Sequence, residues 1–398
     1  MRVLLVTDWA SARGGVEAYT TWLRAGLEAA GDEVRLLTST IGSAGDGLAD
    51  FHAWGTERQA GQAFLQVVNP FAVVQVRRAL RVFRPDVALV NSFASHLSPA
   101  ILRPLRAVPT VLSLHEYKVV CPTGCKLLPS GERCQVRAGT VCWRSGCLSL
   151  PHWLRDQARY ALIRAGLRSA DRIVVGSRWM QEEFSRNGVQ AEHVPLPIPP
   201  PGASFRRRPA VEPTFVFCGR LQPEKGVPLL LRAFARLLRD MPSARLRIIG
   251  RGPEGPAIAS LISTLALGDA VSVLGWLEPE ALEAQLVDAW ALVAPSRWAE
   301  PLGFVALEAI VRDVPVIASE LGGFGETIEP GTTGLLFPNG NETALYEHLL
   351  RAASRQAFPT HSLPVDARHR VADRHDLTRH VQRLRTILTD IRGTPRAG

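Results

Sequence analysis

Two carboxylates eight positions apart, Glu300 and Glu308, bracket the run Pro301-Leu302-Gly303-Phe304-Val305-Ala306-Leu307. Pro301 and Gly303 spell a turn, and Phe304 to Leu307 starts an apolar helix. The apolar run from Trp290 to Ala294 precedes them. Glu300 therefore falls on a loop at the carboxyl end of a strand, and Glu308 just over one turn into the helix. In open α/β sheets that edge is where ligands bind. The N–H groups of Gly303, Phe304 and Val305 are spare at the helix N-terminus, which suits an anion or sugar hydroxyls. Upstream, Arg220 and Lys225 stand five residues apart on Gly219–Gly226, a loop leaving the strand Thr214–Cys218. A planar fork and a point charge there could grip a diphosphate and hold negative charge as it builds on a departing phosphate. A lone Glu pair is ordinarily a solvated loop charge and a helix-surface charge. What surrounds this pair decides otherwise.

The elements that must position these groups follow a βα alternation through the whole chain. In the first half, strands are expected at 2–7, 33–38, 86–91, 109–114 and 172–176, with helices from Val16 to about Ala30, near 71–83, around 98–105, at 152–168 and at 178–187. In the second half, strands are expected at 214–218, 244–249, 270–274, 290–294, 314–318 and 333–337, with helices at 227–239, near 342–353 and at 376–392. Such alternation means parallel βαβ units and an open twisted sheet. Between the halves, Val194 to Pro201 is proline-dense and Arg206 to Pro209 follows, a stiff extended linker. Two domains result: 1–194 and 214–375, joined by 195–213. No internal repeat goes beyond this alternation.

Further candidates lie at strand ends. Gly14 and Gly15 follow the first strand and form a cradle that lets a ligand approach the backbone; a plain glycine turn is the competing explanation. His115 ends the strand 109–114. Gly250-Arg251-Gly252-Pro253-Glu254-Gly255 spells G-x-G-x-x-G. It follows the second strand of its domain rather than the first, so it is not a dinucleotide fingerprint. Pro253 suits the first position of a helix.

Composition sets outer bounds. At 398 residues, 46% apolar, both domains can bury a core. No apolar run reaches the ~18 residues of a spanning helix, and the N-terminus enters a strand without a signal-peptide pattern. A cytoplasmic protein is expected. The net charge is +9, and residues 1–205 hold 23 Arg plus Lys against 16 Asp plus Glu. A basic first half suits an acidic partner such as the inner face of a membrane or a phosphate-bearing acceptor; a scattered solvated surface is the alternative. No nucleic-acid-binding signature appears. Lysine is rare, with Lys118, Lys126 and Lys225 the three among 46 basic residues.

Cys121, Cys125, Cys134, Cys142 and Cys147 fall within 27 residues, about 118–150 forming a Cys-rich insertion. In a cytosolic chain such clustering suggests metal before disulfides. Two readings stand. One is a structural zinc held by Cys121, Cys134, Cys142 and Cys147, ordering a segment too small for its own core. The other is a set of reduced thiols in a surface loop.

Taken together, Gly14-Gly15-Val16-Glu17, His115, Gly219-Arg220-Leu221 with Glu224-Lys225-Gly226, Gly250 to Pro253, Glu300 to Glu308, Gly322-Gly323 with Glu326, and Gly331 to Leu336 resemble the retaining glycosyltransferases of the large family 4, across nearly the whole chain. The resemblance implies the GT-B fold, two Rossmann-like doubly wound parallel-sheet domains facing a cleft. It implies a nucleotide-diphosphate sugar as co-substrate, held mainly by the second domain, and no cofactor or metal for catalysis. Glu308 would bind the ribose. Glu300 and the amides at Gly303 and Phe304 would bind sugar hydroxyls, with Leu302, Val305 and Gly252 lining the donor site. Arg220 and Lys225 would take the diphosphate. Gly14 and Gly15 would close over the donor, and His115 would lie near the reacting carbon. A glycan or lipid-linked acceptor would bind the first domain, and helix 376–392 would return to pack on it. The Cys121-Pro122 segment resembles an insertion in some polysaccharide-building members. Two departures, Leu302 and Ile310-Val311-Arg312-Asp313, leave the charged groups untouched and bear on donor identity. Against an enzyme stands a non-catalytic sugar-nucleotide-binding or scaffold protein; within the same fold stands a sugar-nucleotide epimerase.

Overall fold

A computed structural model describes residues 1–9, 15–41, 49–56 and 58–393. The chain divides into two compact units, residues 1–197 with 377–398, and residues 198–376.

The first unit holds strands β1 (Arg2–Val6), β2 (Glu33–Ser39), β3 (Phe51–Ala53), β4 (Val87–Val90), β5 (Thr110–Leu114), β6 (Arg172–Val175) and β7 (Glu192–His193). Its helices are α1 (Gly15–Ala29), α2 (Gln59–Leu65), α3 (Pro70–Phe83), α4 (Leu102–Leu105), α5 (Val141–Arg144), α6 (Leu150–Ser169) and α7 (Arg178–Arg186). All strand pairs are parallel, in the order β3-β2-β1-β4-β5-β6-β7. Helices cover both faces of the central strands, so every residue of β4 and β5 is buried, the hydroxyls of Thr110 and Ser113 included. Side-chain caps start the helices: Asn69 Oδ1 accepts from Ala72 N–H, and Ser177 Oγ accepts from Met180 N–H.

The second unit holds β8 (Thr214–Cys218), α8 (Val227–Asp240), β9 (Arg245–Ile249), α9 (Gly255–Thr264), β10 (Val271–Gly275), α10 (Pro279–Leu286), β11 (Ala291–Ala294), α11 (Phe304–Val311), β12 (Val316–Ser319), α12 (Phe324–Thr327), β13 (Gly334–Phe337), α13 (Glu342–Ala353) and α14 (Val365–Arg374). The sheet is again all parallel, in the order β10-β9-β8-β11-β12-β13. Helix α8 shows the amphipathic logic: Leu230, Ala233, Phe234 and Leu237 are buried, while Arg232 and Arg239 face water. Both units are thus α/β with parallel sheets, as the alternation required.

The last helix, α15 (Leu377–Arg392), belongs to the first unit. It lies against α1 closely enough that a Cβ on Gly26 would stand 2.6 Å from Val381. Arg385 Nε and Asp32 are 2.8 Å apart.

Several elements differ from the sequence expectation. The helix after the G-x-G-x-x-G run begins at Gly255, so Pro253 precedes it and Pro256 takes the early helical position. The polar stretch before α15 is itself helical, as α14. Its apolar side is thin, with Ala367 and Val371 buried and the rest largely charged.

Candidate functional site

In each sheet the strand order reverses once, between β1 and β4 in the first unit and between β8 and β11 in the second. Such a reversal leaves a crevice at the carboxyl ends of the two strands. In the second unit, the loop after β8 carries Arg220 and Lys225, and the loop after β11 carries Glu300. The reversal brings them together: Lys225 Nζ donates to Glu300 Oε1 at 2.6 Å. Ser296 Oγ donates to the same oxygen at 2.5 Å. The Lys225 ammonium also lies 5.3 Å from the centre of the Trp298 ring. Burial works to raise the Glu300 carboxyl, but the charge and hydrogen bond of Lys225, with bonds from Ser296 and Trp298, outweigh it and hold the group below its ordinary value. Glu300 is an anion fixed beside a cation.

Two glycines let the loops meet. At Gly226, with φ of +71°, a Cβ would lie 2.0 Å from the carbonyl oxygen of Pro295, so any side chain there would push the β8 and β11 loops apart. At Gly252 a Cβ would lie 2.2 Å from the carbonyl oxygen of Leu221. Leu221 N–H donates to Arg251 O at 3.0 Å, and Glu254 N–H donates to Leu221 O at 3.1 Å. The G-x-G-x-x-G run is therefore a close-packed brace under the Arg220–Lys225 loop. The β12 loop supports Glu300 from the other side, with Gly323 N–H donating to Glu300 O at 2.7 Å.

Glu308 lies on α11, half-buried, and its carboxylate has no hydrogen-bond partner among the described residues. Burial raises it above its ordinary value, with Arg312 opposing. Its neighbour Cys218, at the end of β8, is pushed up to about 12 by burial and then by Glu308, with Lys225 opposing. That thiol is protonated and is not a nucleophile. The amides of Gly303, Phe304 and Val305 donate to no carbonyl among the described residues. Arg220 is exposed, and its guanidinium has no partner among them. Leu302 is buried, 4% exposed, so its side chain belongs to the core and its main chain faces the loop. The second unit thus assembles two cations, two carboxylates and three open amides at one sheet edge.

In the first unit, Gly14 lies outside the described residues, and Gly15 opens α1. His115 is buried beyond β5. Its Nε2 and Ser113 Oγ are 3.1 Å apart, while Nδ1 is buried without a partner. Its ring lies 4.8 Å from that of Tyr19, whose hydroxyl reaches His380 Nε2 on α15 at 2.9 Å. Burial, then the nearby His380, pulls His115 down to about 3, so the ring is neutral at pH 7.

Two further residues at this edge were not among the sequence candidates. Asp8, just past β1, accepts the N–H groups of Ser95, His96 and Leu97 at 2.8 Å each and so shapes the loop after β4. Lys118 Nζ donates to Ser95 Oγ at 2.6 Å and pairs with Glu116 at 3.5 Å. The scarcity of lysine was a signal for Lys118; Asp8 had none, its partners lying 87 to 89 residues away.

The zinc ligands expected from the sequence are not assembled in this structure. Among the described residues no three His, Cys, Asp or Glu side chains are placed to hold a metal ion, so Cys121, Cys134, Cys142 and Cys147 form no coordination sphere. None of the six cysteines is in a disulfide. Cys121 and Cys125 flank the hydroxyl of Thr123 at 3.2 and 3.3 Å, and Cys134 Sγ points at Val136 O. Burial raises the Cys142 and Cys147 thiols, favouring their protonated form. An ion cluster does the ordering instead. Lys126 Nζ lies 3.1 Å from Glu183 Oε1, with 2% and 3% of the side chains exposed. Arg133 donates to the other Glu183 oxygen at 2.7 Å and covers the Trp179 ring at 4.3 Å. Lys126 also donates to Val136 O at 2.8 Å. These contacts pin the segment to α7.

With the geometry in place, comparisons with known proteins agree with it. The family described as "Glycosyl transferase 4-like domain" matches residues 14–201, and "Glycosyl transferases group 1" matches residues 205–368. An exopolysaccharide phosphotransferase of Streptomyces coelicolor is 30% identical over 291 residues, 72% of this chain and 26% of the relative. The D-inositol 3-phosphate glycosyltransferase of Nocardia farcinica is 34% identical over 207 residues, 46% of this chain and 45% of the relative. The matched stretches span between 26% and 57% of the length of the first such relatives. Among solved structures, sucrose-phosphate synthase from Thermosynechococcus elongatus superposes with a TM-score of 0.75 at 22% identity, covering 98% of this chain and 99% of that one. Anabaena Alr3699/HepE in complex with UDP-glucose gives 0.70 at 17%, covering 98% and 100%. The paired parallel-sheet units and the two consecutive family matches converge, and the chain belongs to the family 4, group 1 glycosyltransferases of GT-B fold.

Proposed function

We propose that this chain is a retaining glycosyltransferase that moves a sugar from a nucleoside diphosphate to an acceptor hydroxyl without a catalytic metal. The observation that carries the reading is the Lys225–Glu300 pair at the strand-order reversal, with Arg220 beside it on the β8 loop and Glu308 on α11. Glu308 accepts the ribose hydroxyls. Arg220 and Lys225 hold the diphosphate, supplying as side-chain charge what a divalent cation would otherwise supply. Glu300 and the amides of Gly303 and Phe304 hold sugar hydroxyls. Lys225 has three N–H donors; one goes to Glu300, which leaves the others for phosphate oxygen.

Transfer is a front-face displacement. The bond between the anomeric carbon and the β-phosphate oxygen breaks, and its electron pair stays on the phosphate, where Arg220 and Lys225 disperse it. The bond to the acceptor oxygen forms on the same face, and the departing phosphate takes the acceptor proton. His115 is neutral, so it meets the acceptor or donor sugar as a hydrogen-bonding group, not as a cation. The first unit is assigned the acceptor, while Gly14 and Gly15 are assigned to the donor and His115 to the reacting carbon. Relatives named as an inositol phosphate glycosyltransferase and a GDP-mannose-dependent mannosyltransferase, and a fold neighbour holding UDP-glucose, support a nucleotide-sugar donor and a role in glycan or glycolipid synthesis.

Attachment to a membrane surface is part of the proposal. No helix among the described residues is long and apolar enough to cross a membrane. Phe64 on α2 is 69% exposed, and Phe71 and Val74 on α3 are 50% and 56% exposed. Trp54 meets Phe71 edge to face with ring centres 5.1 Å apart. Arg77, Arg78 and Arg81 are exposed further along α3. An apolar face beside arginines suits an anionic bilayer, and six cysteines outside disulfides suit a reducing compartment.

The test is incubation with UDP-, GDP- and ADP-sugars, followed by proton NMR of the released or transferred sugar. One donor is consumed, and the product carries the donor's anomeric configuration. Consumption with inversion would refute the front-face mechanism. Tight binding without consumption would favour the non-catalytic reading. Cosedimentation with vesicles containing anionic lipid, lost on Phe71→Ser with Arg78→Glu, tests the membrane surface.

A further inference from the structure

A cavity of about 430 Å³ opens in the second unit, at the end of α11 remote from Glu300. Its wall carries Arg206, Arg207, Arg312 and Arg368 against one carboxylate, Asp313. Arg207 is committed to main-chain oxygens. Its Nε donates to Asp313 O at 3.1 Å, its Nη1 to Leu286, Val287 and Ala289 O at 2.9, 3.1 and 2.6 Å, and its Nη2 to His361 O at 2.8 Å. No carboxylate hydrogen-bonds this largely buried cation, and burial, opposed by Asp313 and Asp288, pulls it down to about 10. Arg312 pairs with Glu283 at 2.7 Å.

The other two have no hydrogen bond to a carboxylate, and Arg368 keeps an ion pair with Asp313. Arg206 is exposed and bonds only the nearby carbonyls of Ala203 and Phe205. Arg368 Nε is buried without a hydrogen bond. Its closest paired carboxylate oxygen, Asp313 Oδ1, stands at 3.4 Å and already accepts Leu363 N–H at 2.7 Å. Asp313 itself has φ of +64°, a left-handed conformation that a non-glycine residue adopts at a cost. Its carbonyl holds Arg207 and its carboxylate holds Leu363, so the strained residue fixes the cavity wall. With Glu283 and Asp288 counted, the four guanidinium groups meet three carboxylates, of which Asp288 is shared with Arg247, and the excess positive charge suits an anion.

We propose that this cavity binds a phosphate monoester of about monosaccharide size, with its phosphate held by Arg206 and Arg368. Guanidinium forks match phosphate oxygens two at a time. The volume falls in the range of small-molecule sites and exceeds what bare phosphate needs. Phe205 and Val311 line the cavity and supply an apolar wall for the rest of the ligand. Arg312 joins this site to α11, because its Nη1 donates to Glu308 O at 3.2 Å and its charge acts on the Glu308 carboxyl. A bound anion would offset that charge, so occupancy is felt one helical turn away. This link rests on the role proposed for Glu308; the binding itself does not.

The experiment is calorimetric titration of the full chain with inorganic phosphate and with glucose 6-phosphate, read without any transfer assay. It is run on the wild type and on Arg220→Ala/Lys225→Ala, which disables the proposed diphosphate site. Glucose 6-phosphate binds both proteins, and more tightly than phosphate does. Arg206→Gln and Arg368→Gln each weaken it about tenfold or more. Arg206 is exposed and locally bonded, so that variant keeps its melting temperature. Binding lost in Arg220→Ala/Lys225→Ala would place the anion on the β8 loop and overturn the proposal. Binding indifferent to Arg206→Gln, or no uptake of either probe at about 10 mM, would overturn it as well. Phosphate bound as tightly as the ester would refute the monosaccharide part.

Discussion

Removing the Lys225 ammonium is the most informative perturbation of the site. Lys225 and Glu300 are 17% and 9% exposed and 2.6 Å apart. With an effective dielectric of about 20, the gross attraction at that distance is about 6 kcal/mol. Desolvation of the two ions returns several kcal/mol of this, leaving a net coupling of about 2 kcal/mol, within the usual range for contacting residues. The perturbation is a double-mutant cycle with Lys225→Met and Glu300→Gln, read by urea unfolding without donor. Lys225→Met alone destabilises by about 3 kcal/mol, because it strands a buried carboxylate. Adding Glu300→Gln recovers much of that loss. The same cycle on transfer gives a different pattern: Lys225→Met lowers kcat by about 100-fold or more, and Glu300→Gln does not restore it. Additive unfolding free energies would show that the two groups do not interact as argued. Unchanged kcat in Lys225→Met, with donor binding intact, would remove the cation from the departing phosphate.

Other expectations follow from the same charges. Glu308 is raised above its unfolded value, so the folded state binds more protons between the two values, and its ionisation costs stability as pH rises through the raised value. Glu308→Gln therefore raises the melting temperature at pH 7 while weakening nucleoside diphosphate binding about tenfold or more, by calorimetry. Glu300 is lowered, so its contribution is present above the ordinary carboxylate value and is lost as pH falls through the lowered one; the acid limb of a pH–stability curve shrinks in Glu300→Gln. Glu183→Gln, breaking the buried cluster with Lys126 and Arg133, costs about 3–5 kcal/mol and speeds amide exchange across residues 118–150. Chelation leaves the melting temperature unchanged, and thiol titration of the unfolded chain counts all six cysteines before and after it.

Much of the fold was legible because the strands are buried on both faces and read as short apolar runs such as Val87–Val90 and Ala291–Ala294. The Glu300–Glu308 loop was legible because its turn, helix start and charges lie within one short segment. What failed was weak in pattern or distant in sequence. Strands β3 and β7 have three and two residues, too few to show a period. Helix α14 reads as polar because its buried stripe is two residues wide. The Lys126–Glu183 pair was not legible, because the two are 57 positions apart and nothing local announces that they meet. Lysine scarcity drew attention to Lys225, and all three lysines, Lys118, Lys126 and Lys225, hold an ion pair.

The most direct test of the central claim is phosphorus NMR of UDP, GDP and ADP titrated into the wild type and Lys225→Met. At least one diphosphate shifts and saturates on the wild type, with the β-phosphorus resonance perturbed, and that perturbation is lost in the variant. Resonances unmoved on the wild type, or moved identically in Lys225→Met, would contradict a diphosphate held against Lys225.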